Sequence, residues 1–558
     1  MSTLKELADL IFPDIKLGVS DLEKKYPPRT LPSGAEVSRF APSPTGFLHT
    51  GSLFASLVGR KFSEQTKGVY FFRLEDTDQK REIEGSGLEQ INLLNKFGIV
   101  FDEGYLGTSE KGEYGPYRQS QRAEIYKIVI KELIKKGRAY PDFCTKEELD
   151  ALRQVQEANK VVPGYYGEYA KYRNLKIDDA IAFIKEGKPY VIRFKSLGDV
   201  NKHIKVVDEI RGELLLSQNN QDIVILKSDG LPTYHFAHLV DDHFMRTTLV
   251  IRGEEWIASL PIHVELFETM NWQRPKYAHL PVIMIVDEET HNRRKLSKRK
   301  DNVAAVSYFL KQGYPIEGII KYLYTIANSN FEEWLTNNPK GDISTFKLSF
   351  EKFSLDGALF DLPKLNNISK EVLALYSKEK FTDLALKYAS ECDPKLKELI
   401  EKDRNKFEQI INIEREIEKP RKDYERFGDV LPKILFFYND EYDSMLKNAD
   451  LPFNEFIPKK IIGEFLLDAV ENMDLSKDES VWFESIKRIG LNHGFADDKK
   501  VYKENPDKYN GWYSDCISLI RIALTTTTVS PKLFDVIKIL GKEEIKRRFS
   551  LVIKKYDC

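Results

Sequence analysis

Residues 39–52 read RFAPSPTGFLHTGS, and the segments around them change character in a regular order. Residues 37–41 have the pattern of a short buried strand, 42–46 form a loop, and 49–67 have the apolar spacing of a helix. A second buried strand is predicted at residues 69–74. A strand, a tight loop, a helix and another strand form a βαβ unit, which binds ligands at the carboxyl ends of its strands. The loop is therefore predicted to lie at a nucleotide site.

This loop contains the residue types that phosphate binding requires. Its two prolines restrict the backbone, while Gly46 and Gly51 let a ligand approach the chain closely. His49 begins the predicted helix, where exposed N–H groups and the helix dipole favour phosphate. Its ring can also donate a hydrogen bond to a phosphoryl oxygen. An isolated H-x-G triplet is more often a solvent-facing turn, so this interpretation depends on a second motif.

That second motif is a basic run at residues 291–300, HNRRKLSKRK, which holds three lysines and three arginines. It follows a predicted strand at residues 282–286, which places the positive charge near the end of a strand. Such a run can clamp a charged phosphate. Taken alone, it fits a solvated basic turn or a general nucleic-acid patch equally well.

Together, the two motifs resemble the signatures of class I aminoacyl-tRNA synthetases. Residues 39–52 resemble the HIGH motif in the wording of the bacterial-type glutamyl-tRNA synthetases, with Thr50 and Ser52 departing from the usual residues. Residues 295–299, KLSKR, resemble the KMSKS loop of the same class. Two remote motifs in the right order seldom arise by chance, so the resemblance favours the functional interpretation of both.

The resemblance implies an α/β fold with a Rossmann-type doubly wound parallel sheet, an inserted acceptor-binding domain and an α-helical anticodon-binding region. Its expected parts are a leader at 1–35, a catalytic domain at 36–115 and 222–288, an inserted acceptor-stem-binding domain at 116–221, a clamp loop and stem-contact region at 289–370, and the helical anticodon-binding region at 371–558.

Patterns along the chain add detail to this expectation. A Pro-rich stretch at residues 26–34 predicts an exposed leader before the first regular element. Further predicted elements are helices at 88–97, 119–136, 258–270 and 395–419, the last stopped by Pro420, and strands at 190–194, 222–226, 248–251 and 282–286. The last three strands are expected to complete the parallel sheet.

The resemblance also implies a glutamate–tRNA ligase reaction. ATP activates glutamate to glutamyl-adenylate, the terminal ribose hydroxyl of tRNA then attacks it, and in this family tRNA binding promotes the first step. Attack on the α-phosphate develops negative charge, so the reaction needs positioning and cations more than a general base. The expected catalytic residues are His49, Lys295 and Lys298. The expected ATP-binding residues are Ser43, Thr45, Gly46, His49, Gly51, Ser52, Trp256, Leu296 and Lys298.

A site for glutamate needs cations for two carboxylates and an anion for the ammonium group. Arg39 and Arg252 can pair with carboxylates, and the resemblance assigns Glu75 to the amino acid. A carboxylate in such a cluster is otherwise more often a metal ligand or a helix cap. The expected glutamate-binding residues are Arg39, Ala41, Ser43, Glu75, Tyr234, His238 and Arg252. The family usually has Asn at the position of His238.

Composition sets the remaining expectations. Lys plus Arg (85) nearly balances Asp plus Glu (87), so a polyanion such as tRNA has to bind local basic patches. The four cysteines include no C-x-x-C pair, which predicts no structural zinc, and Mg²⁺ is expected to arrive with ATP. The chain has neither a signal peptide nor an apolar run of about 18 residues, which predicts a cytoplasmic protein without membrane contact. The expected partners are L-glutamate and tRNA(Glu), with tRNA(Gln) left open, and a monomer is expected.

Three alternatives remain. A glutaminyl-tRNA synthetase is disfavoured because the chain has P-S-P in its first loop and E-D-T at residues 75–77, where that enzyme typically reads P-E-P and D-D-T. A tRNA-modifying paralogue would lack the long helical stretch after residue 370. A non-catalytic tRNA-binding protein of the same fold stays possible in principle, because fold does not guarantee function.

Overall fold

The computed structural model describes residues 2–297, 299–355 and 357–557. The chain divides into two compact units, one of residues 1–308 and 320–361 and the other of residues 309–319 and 362–558. The first unit combines helices and sheets, whereas the described part of the second unit contains helices without strands. Over the same described ranges, none of the helices combines the length and apolar character needed to cross a membrane.

The regular elements up to residue 361 include both helices and strands. The helices are α1 Leu4–Ile11, α2 Val19–Lys25, α3 Thr50–Gln65, α4 Ser86–Lys96, α5 Ala123–Lys135, α6 Lys146–Ala158, α7 Ile177–Lys185, α8 Tyr234–Phe244, α9 Leu260–Met270, α10 Val306–Gln312, α11 Ile316–Ala327 and α12 Phe331–Asn337. The strands are β1 Val37–Phe40, β2 Val69–Phe72, β3 Glu103–Tyr105, β4 Glu110–Lys111, β5 Ala139–Asp142, β6 Val191–Phe194, β7 His203–Asp208, β8 Gly212–Ser217, β9 Val224–Leu226, β10 Leu249–Gly253, β11 Lys276–Leu280, β12 Ile283–Val286, β13 Arg293–Lys295 and β14 Ala358–Leu359.

The chain from residue 362 onward is helical. Its helices are α13 Leu362–Leu375, α14 Lys378–Cys392, α15 Pro394–Lys402, α16 Arg404–Ile411, α17 Val430–Ile434, α18 Asn439–Asn448, α19 Lys459–Asn472, α20 Glu479–Asn492, α21 Lys499–Glu504, α22 Tyr513–Thr525, α23 Leu533–Leu540 and α24 Lys542–Tyr556. One continuous cluster of buried apolar side chains joins them, among them Phe407, Phe437, Phe465 and Trp482. This unit therefore has its own core.

The predicted βαβ unit is confirmed. Strand β1 pairs in parallel with β2, with Arg39 opposite Phe71, and α3 connects the two strands. Leu53 and Val58 of α3 are fully buried, as the apolar spacing of this helix predicts. The loop between β1 and α3 consequently lies at the carboxyl end of β1.

A second sheet has the strand order β10-β11-β7-β8, with β10, β11 and β7 parallel. Its register places Arg252 opposite His279. The Thr248 N–H donates to the Val37 carbonyl at 2.9 Å, so β10 begins beside β1. The carboxyl ends of strands from both sheets therefore lie at a common edge.

Two strands predicted for the parallel sheet pair elsewhere, so this part of the prediction was wrong. Strand β9 pairs antiparallel with β6, and β12 forms a small sheet with β13 and β14. The parallel neighbour of β10 is β11, which the sequence analysis missed. Its sequence, Lys-Tyr-Ala-His-Leu, is interrupted by polar residues, so it lacks the continuous apolar run that predicts a buried parallel strand.

The predicted exposed leader was also wrong. Helices α1 and α2 precede the Pro-rich stretch, and both contact α5. Leu7, Phe12, Leu22 and Tyr26 are buried in the same apolar cluster as α5 and α8. The turn signal comes from the prolines of this stretch, the first of which is Pro27. It was extended to all the preceding residues, although their apolar side chains have helical spacing.

The long helix predicted at residues 395–419 is broken. Helix α15 ends at Lys402, and α16 begins at Arg404 and ends at Ile411. Asp403 separates them, because its side chain accepts a hydrogen bond from the Lys406 N–H at 2.9 Å and caps the second helix. Asp403, which interrupts the apolar pattern, therefore marks the start of a new helix.

Replacing Leu22 by alanine tests whether the N-terminal helices belong to the core. Leu22 is 3% exposed, so Leu22→Ala should lower the free energy of unfolding of the first unit by about 2–5 kcal/mol. Leu17 is 50% exposed, and Leu17→Ala should change this free energy by less than about 0.5 kcal/mol. Urea unfolding of both variants measures the difference, and equal effects would contradict the packing described here.

Candidate active site

A cavity of about 640 Å³ opens at the common edge of the two parallel sheets in the first unit. Its walls come from the loop after β1, the start of α3, the end of β2, the start of α8, the end of β10 and the basic hairpin β12–β13. The predicted site residues that line it are Arg39, Ala41, Ser43, His49, Gly51, Ser52, Glu75, Tyr234, Arg252, Trp256, Lys295 and Leu296. Both sequence motifs therefore meet at one cavity.

Three predicted residues lie away from the cavity wall. Thr45 and Gly46 belong to the loop behind it, where the Gly46 carbonyl accepts hydrogen bonds from Ser86 Oγ at 3.1 Å and Gln90 Nε2 at 3.2 Å. His238 is the third and is fully buried. Lys298 lies outside the residues that the structure describes.

His49 is held at the N-terminus of α3. Its Nδ1 accepts a hydrogen bond from the Gly51 N–H at 3.0 Å, which leaves the proton of a neutral ring on Nε2. A Cβ atom at residue 51 would lie 3.2 Å from Nδ1, so glycine keeps this contact unstrained. The Nε2–H group can donate a hydrogen bond to a phosphate oxygen.

The histidine motif is tied to the segment that follows the basic hairpin. Thr50 Oγ1 donates to the Val303 carbonyl at 2.7 Å, and the Val306 N–H donates to the Leu48 carbonyl at 3.2 Å. These two hydrogen bonds, one from a side chain and one between backbone groups, hold residues 48–50 against residues 303–306. The departure of residue 50 from the family wording thus has a structural use, because the threonine hydroxyl makes one of the ties.

The basic hairpin is organised by Arg294. This side chain donates to Asp287 at 2.6 Å and binds both oxygens of Asp301 at 2.7 and 2.8 Å. The Arg294 hydrogen bond holds the pKa of Asp287 well below its usual range. Lys295 instead faces the cavity, where its Nζ lies 3.1 Å from Oε1 of Glu255. Of these two basic side chains, only Lys295 therefore faces the cavity in which a ligand could bind.

Behind the cavity lies a buried cluster of charges that the sequence analysis missed. Asp242 of α8 accepts hydrogen bonds from Arg73 at 2.7 Å and from Arg39 at 3.2 and 3.4 Å. Burial alone would raise the pKa of Asp242, but Arg39 and Arg73 hold it well below its usual range. The neighbouring Asp241 accepts from Arg122 at 2.6 Å. A sequence signal existed, since Tyr234, His238 and Asp242 recur at four-residue spacing on one helix face.

Glu75 reaches the cavity from the end of β2. It is 8% exposed, and burial raises the pKa of its carboxyl group despite the attraction of Arg73 and Arg39. Arg73 donates to its Oε1 at 3.0 Å. A cation bound in the cavity would favour the ionised form of Glu75, because an opposite charge stabilises a carboxylate.

His238 occupies a position different from the one predicted. Its Nδ1 lies 2.7 Å from Asp242 Oδ2, and its Nε2 lies 3.0 Å from the Tyr277 hydroxyl. Burial lowers the pKa of His238 to about 3, so the ring is neutral at physiological pH. His238 therefore packs against the support of Arg39 rather than against the cavity itself.

Comparisons with known proteins identify the family of this chain. Residues 36–353 match the family described as tRNA synthetases class I (E and Q), catalytic domain, and residues 508–553 match an anticodon binding domain. The chain is 45% identical over 555 residues to a glutamate–tRNA ligase of Clostridium beijerinckii, covering 98% of this chain and 99% of the relative. It is 43% identical over 550 residues to one of Acetivibrio thermocellus, covering 98% and 100%. A crystal structure of a glutamate tRNA ligase from Elizabethkingia meningosepticum in complex with its amino acid aligns with a TM-score of 0.72 at 27% identity, covering 94% and 100%.

The chain belongs to the class I tRNA synthetases for glutamate and glutamine. Within that class it groups with the glutamate–tRNA ligases, which it matches over nearly its whole length. The predicted fold class, a class I catalytic domain followed by a helical anticodon-binding region, is confirmed by these matches.

Removing the charge of Asp242 should destabilise the first unit. Asp242→Asn leaves Arg39 and Arg73 buried without their shared partner, and such a loss costs about 3–5 kcal/mol of the free energy of unfolding. Because the folded pKa of Asp242 is depressed, its stabilisation is complete above its ordinary pKa of 3.8 and is lost only as pH falls through the folded pKa. The difference should therefore be constant between about pH 5 and 8.

The matched control is Asp150→Asn, on an exposed aspartate of α6, which should change this free energy by less than about 0.5 kcal/mol. Urea unfolding at several pH values measures both variants. A pH-dependent difference in this range, or equal stability of the two variants, would contradict the assignment.

Proposed function

We propose that this chain is a glutamate–tRNA ligase that forms glutamyl-adenylate from L-glutamate and ATP in the cavity and transfers the glutamyl group to the 3′ end of tRNA(Glu). The observation that supports the proposal most directly is the meeting of His49 with Lys295 at a cavity that also exposes Arg252. The relatives named as glutamate–tRNA ligases support the same activity.

The amino acid would bind at the arginine end of the cavity. Arg252 offers a positive charge to a carboxylate, Tyr234 adds a hydroxyl, and Glu75 offers a negative charge to the ammonium group. Arg39 is already paired with Asp242, so it would orient the bound amino acid more than it would neutralise a carboxylate. Glutamine lacks the second carboxylate, and a site with an uncompensated cation therefore favours glutamate over glutamine.

ATP would bind across the start of α3 and the basic hairpin. The Nε2–H of His49 is suited to a phosphate oxygen, the N-terminus of α3 favours negative charge, and Lys295 can leave Glu255 to meet the triphosphate. Gly51 and Ser52 line this part of the cavity, and Trp256 and Leu296 would flank the adenosine. From the sequence, Lys298 is assigned to the same phosphates.

The chemistry then needs two displacements. A carboxylate oxygen of glutamate attacks the α-phosphorus of ATP, the bond to the β-phosphate oxygen breaks, and pyrophosphate leaves. A ribose hydroxyl of tRNA next attacks the acyl carbon of the adenylate, loses its proton, and AMP leaves. In the first displacement the lysines and His49 stabilise charge that grows on phosphate oxygens.

In this proposal Mg²⁺ enters the site bound to ATP. Over the part of the chain that the structure describes, no three His, Cys, Asp or Glu side chains are grouped as metal ligands. ATP phosphates would then supply most of the ligands, as is usual for this ion. No step is assigned to Mg²⁺ here, and the expected lack of structural zinc stays a prediction.

The helical unit would read the tRNA. Its match to an anticodon binding domain at residues 508–553 supports this role, and the domain boundaries given by the sequence remain a proposal. Whether tRNA(Gln) is a second acceptor depends on the anticodon contacts, which the residues alone do not identify. A monomeric state and a cytoplasmic location remain predictions from the sequence.

Charging of purified tRNA tests the function. With ATP and Mg²⁺, the protein should attach labelled glutamate to tRNA(Glu), and labelled glutamine should give no product on either tRNA(Glu) or tRNA(Gln). Glutamate on tRNA(Gln) would extend the acceptor range without changing the chemistry. Charging with glutamine would instead identify a glutaminyl-tRNA synthetase, and no charging of any kind would favour a non-catalytic tRNA-binding protein.

Lys298→Ala tests the role of the basic run at residues 291–300 in catalysis. Loss of a cation that meets the charge of the transition state should lower the rate of adenylate formation by about 10²- to 10³-fold while the KM for glutamate changes little. ATP–pyrophosphate exchange in the presence of tRNA(Glu) measures both values. Lys300→Ala, two residues further along the basic run at 291–300, is the control and should retain the wild-type rate; an unaltered rate in Lys298→Ala would remove this lysine from the mechanism.

A further inference from the structure

Arg252 differs from the other buried arginines around the site because it lacks a counter-ion. Arg39 and Arg73 both bond to Asp242, and Arg122 bonds to Asp241. Arg252 is 6% exposed, yet within the described ranges no carboxylate oxygen lies within 4.0 Å of its guanidinium group. A buried charge without a partner is costly, so a protein that keeps one has a use for it.

His279 holds this arginine without neutralising it. The register of β10 and β11 places the two residues opposite each other, and Arg252 Nε donates to His279 Nε2 at 3.1 Å. An imidazole nitrogen can accept this bond only when it carries no proton. His279 must therefore be neutral, with its proton on Nδ1.

Asp208 fixes that proton. Its Oδ2 lies 2.6 Å from His279 Nδ1, so Nδ1–H donates to the carboxylate and Nε2 is left as the acceptor. The carboxylate is itself held in place, because Oδ1 accepts from the backbone N–H groups of Ile210 at 3.0 Å and Arg211 at 2.9 Å. Both His279 and Asp208 are buried, and burial is the main reason that the pKa of His279 is lowered.

The remaining contacts of Arg252 leave one side of its guanidinium group weakly bound. Nη1 donates to the Tyr234 hydroxyl at 3.1 Å. Nη2 makes only long contacts of 3.4 Å, to the Trp256 carbonyl and to Nδ1 of His263. Hydrogen bonds of that length are weak. Nη2 is therefore the nitrogen that a carboxylate in the cavity can engage.

We propose that His279, oriented by Asp208, is a positioning residue for the amino-acid substrate: it fixes the Arg252 side chain by accepting a hydrogen bond, and because it is uncharged it reserves the full positive charge of Arg252 for a substrate carboxylate. This inference rests on the proposed role of Arg252 in glutamate binding. A carboxylate in place of His279 would orient the arginine equally well but would already neutralise it.

Two amide substitutions test the contacts of the two ring nitrogens of His279 separately. The amide of asparagine ends near the position of Nδ1, so His279→Asn keeps a donor for Asp208 and removes the acceptor for Arg252. Glutamine is longer and ends near Nε2, so His279→Gln keeps the acceptor and removes the contact with Asp208. His279→Asn should raise the KM for glutamate about tenfold or more, the effect of losing a hydrogen bond to a charged group. His279→Gln should stay within about threefold of the wild type.

ATP–pyrophosphate exchange with tRNA(Glu) present gives the KM values for glutamate and ATP and the kcat. A positioning role predicts that the KM for ATP stays within about twofold in both variants. The surface variant His203→Gln, on the exposed end of β7, is the control and should match the wild type. Thermal unfolding of each variant reports whether it folds.

Arg252→Ala distinguishes the inference from the function on which it rests. If Arg252→Ala raises the KM for glutamate and His279→Asn does not, the positioning role is overturned and the proposed site stands. If Arg252→Ala leaves this KM unchanged, the assignment of the glutamate site itself fails. A rise in His279→Gln equal to that in Arg252→Ala overturns the inference even if His279→Asn does not fold, and so does an equal rise in the KM values for glutamate and ATP.

Discussion

The buried contact of Asp242 with Arg39 and Arg73 is the constraint on which the rest of the site depends. It joins β1 and the end of β2 to helix α8, and residues far apart in sequence thereby share one charge-balanced cluster. Tyr234 lies two helical turns before Asp242 on the same face, so the cluster also sets the position of a cavity wall. In a low dielectric an unpaired ion is costly, so replacing one member of this cluster alone would destabilise the fold.

Local sequence patterns predicted the elements that are stabilised by interactions between residues close in sequence. The βαβ unit with its loop at residues 42–46 follows from local periodicity. The two motifs that meet at the cavity were identified from their order in the chain and their resemblance to the class I signatures. Strand β11 could not, because its apolar pattern is broken by Lys276 and by His279, whose buried side chain bonds to Asp208 and Arg252. The partner of Arg39 lies 203 residues away in sequence. The four-residue spacing of Tyr234, His238 and Asp242 marks one helix face, but nothing local in either segment indicates that this face meets Arg39.

Position within a motif was a weaker guide to function than the surroundings of each side chain. The family resemblance predicted that His238 binds the amino acid, but the ring lies between Asp242 and Tyr277, behind the cavity. The larger imidazole reaches two buried partners at once. The substitution therefore changes the layer that supports the site, a distinction visible only when the neighbouring strand β11 is in place.

Pairing separates the structural cations of this site from the functional ones. Arg294 belongs to the basic run, but its guanidinium group is paired with Asp287 and Asp301. Its charge therefore stabilises the hairpin and is not available to a ligand. Arg73 is likewise engaged by Asp242 and Glu75. Among the residues that the structure describes, Lys295 pairs with the exposed Glu255, which a phosphate can replace, and Arg252 has only neutral partners. Counting positive residues in a motif therefore overstates the charge available to a ligand, whereas counting cations without a buried carboxylate partner identifies the two ends of the cavity where negative charge can bind.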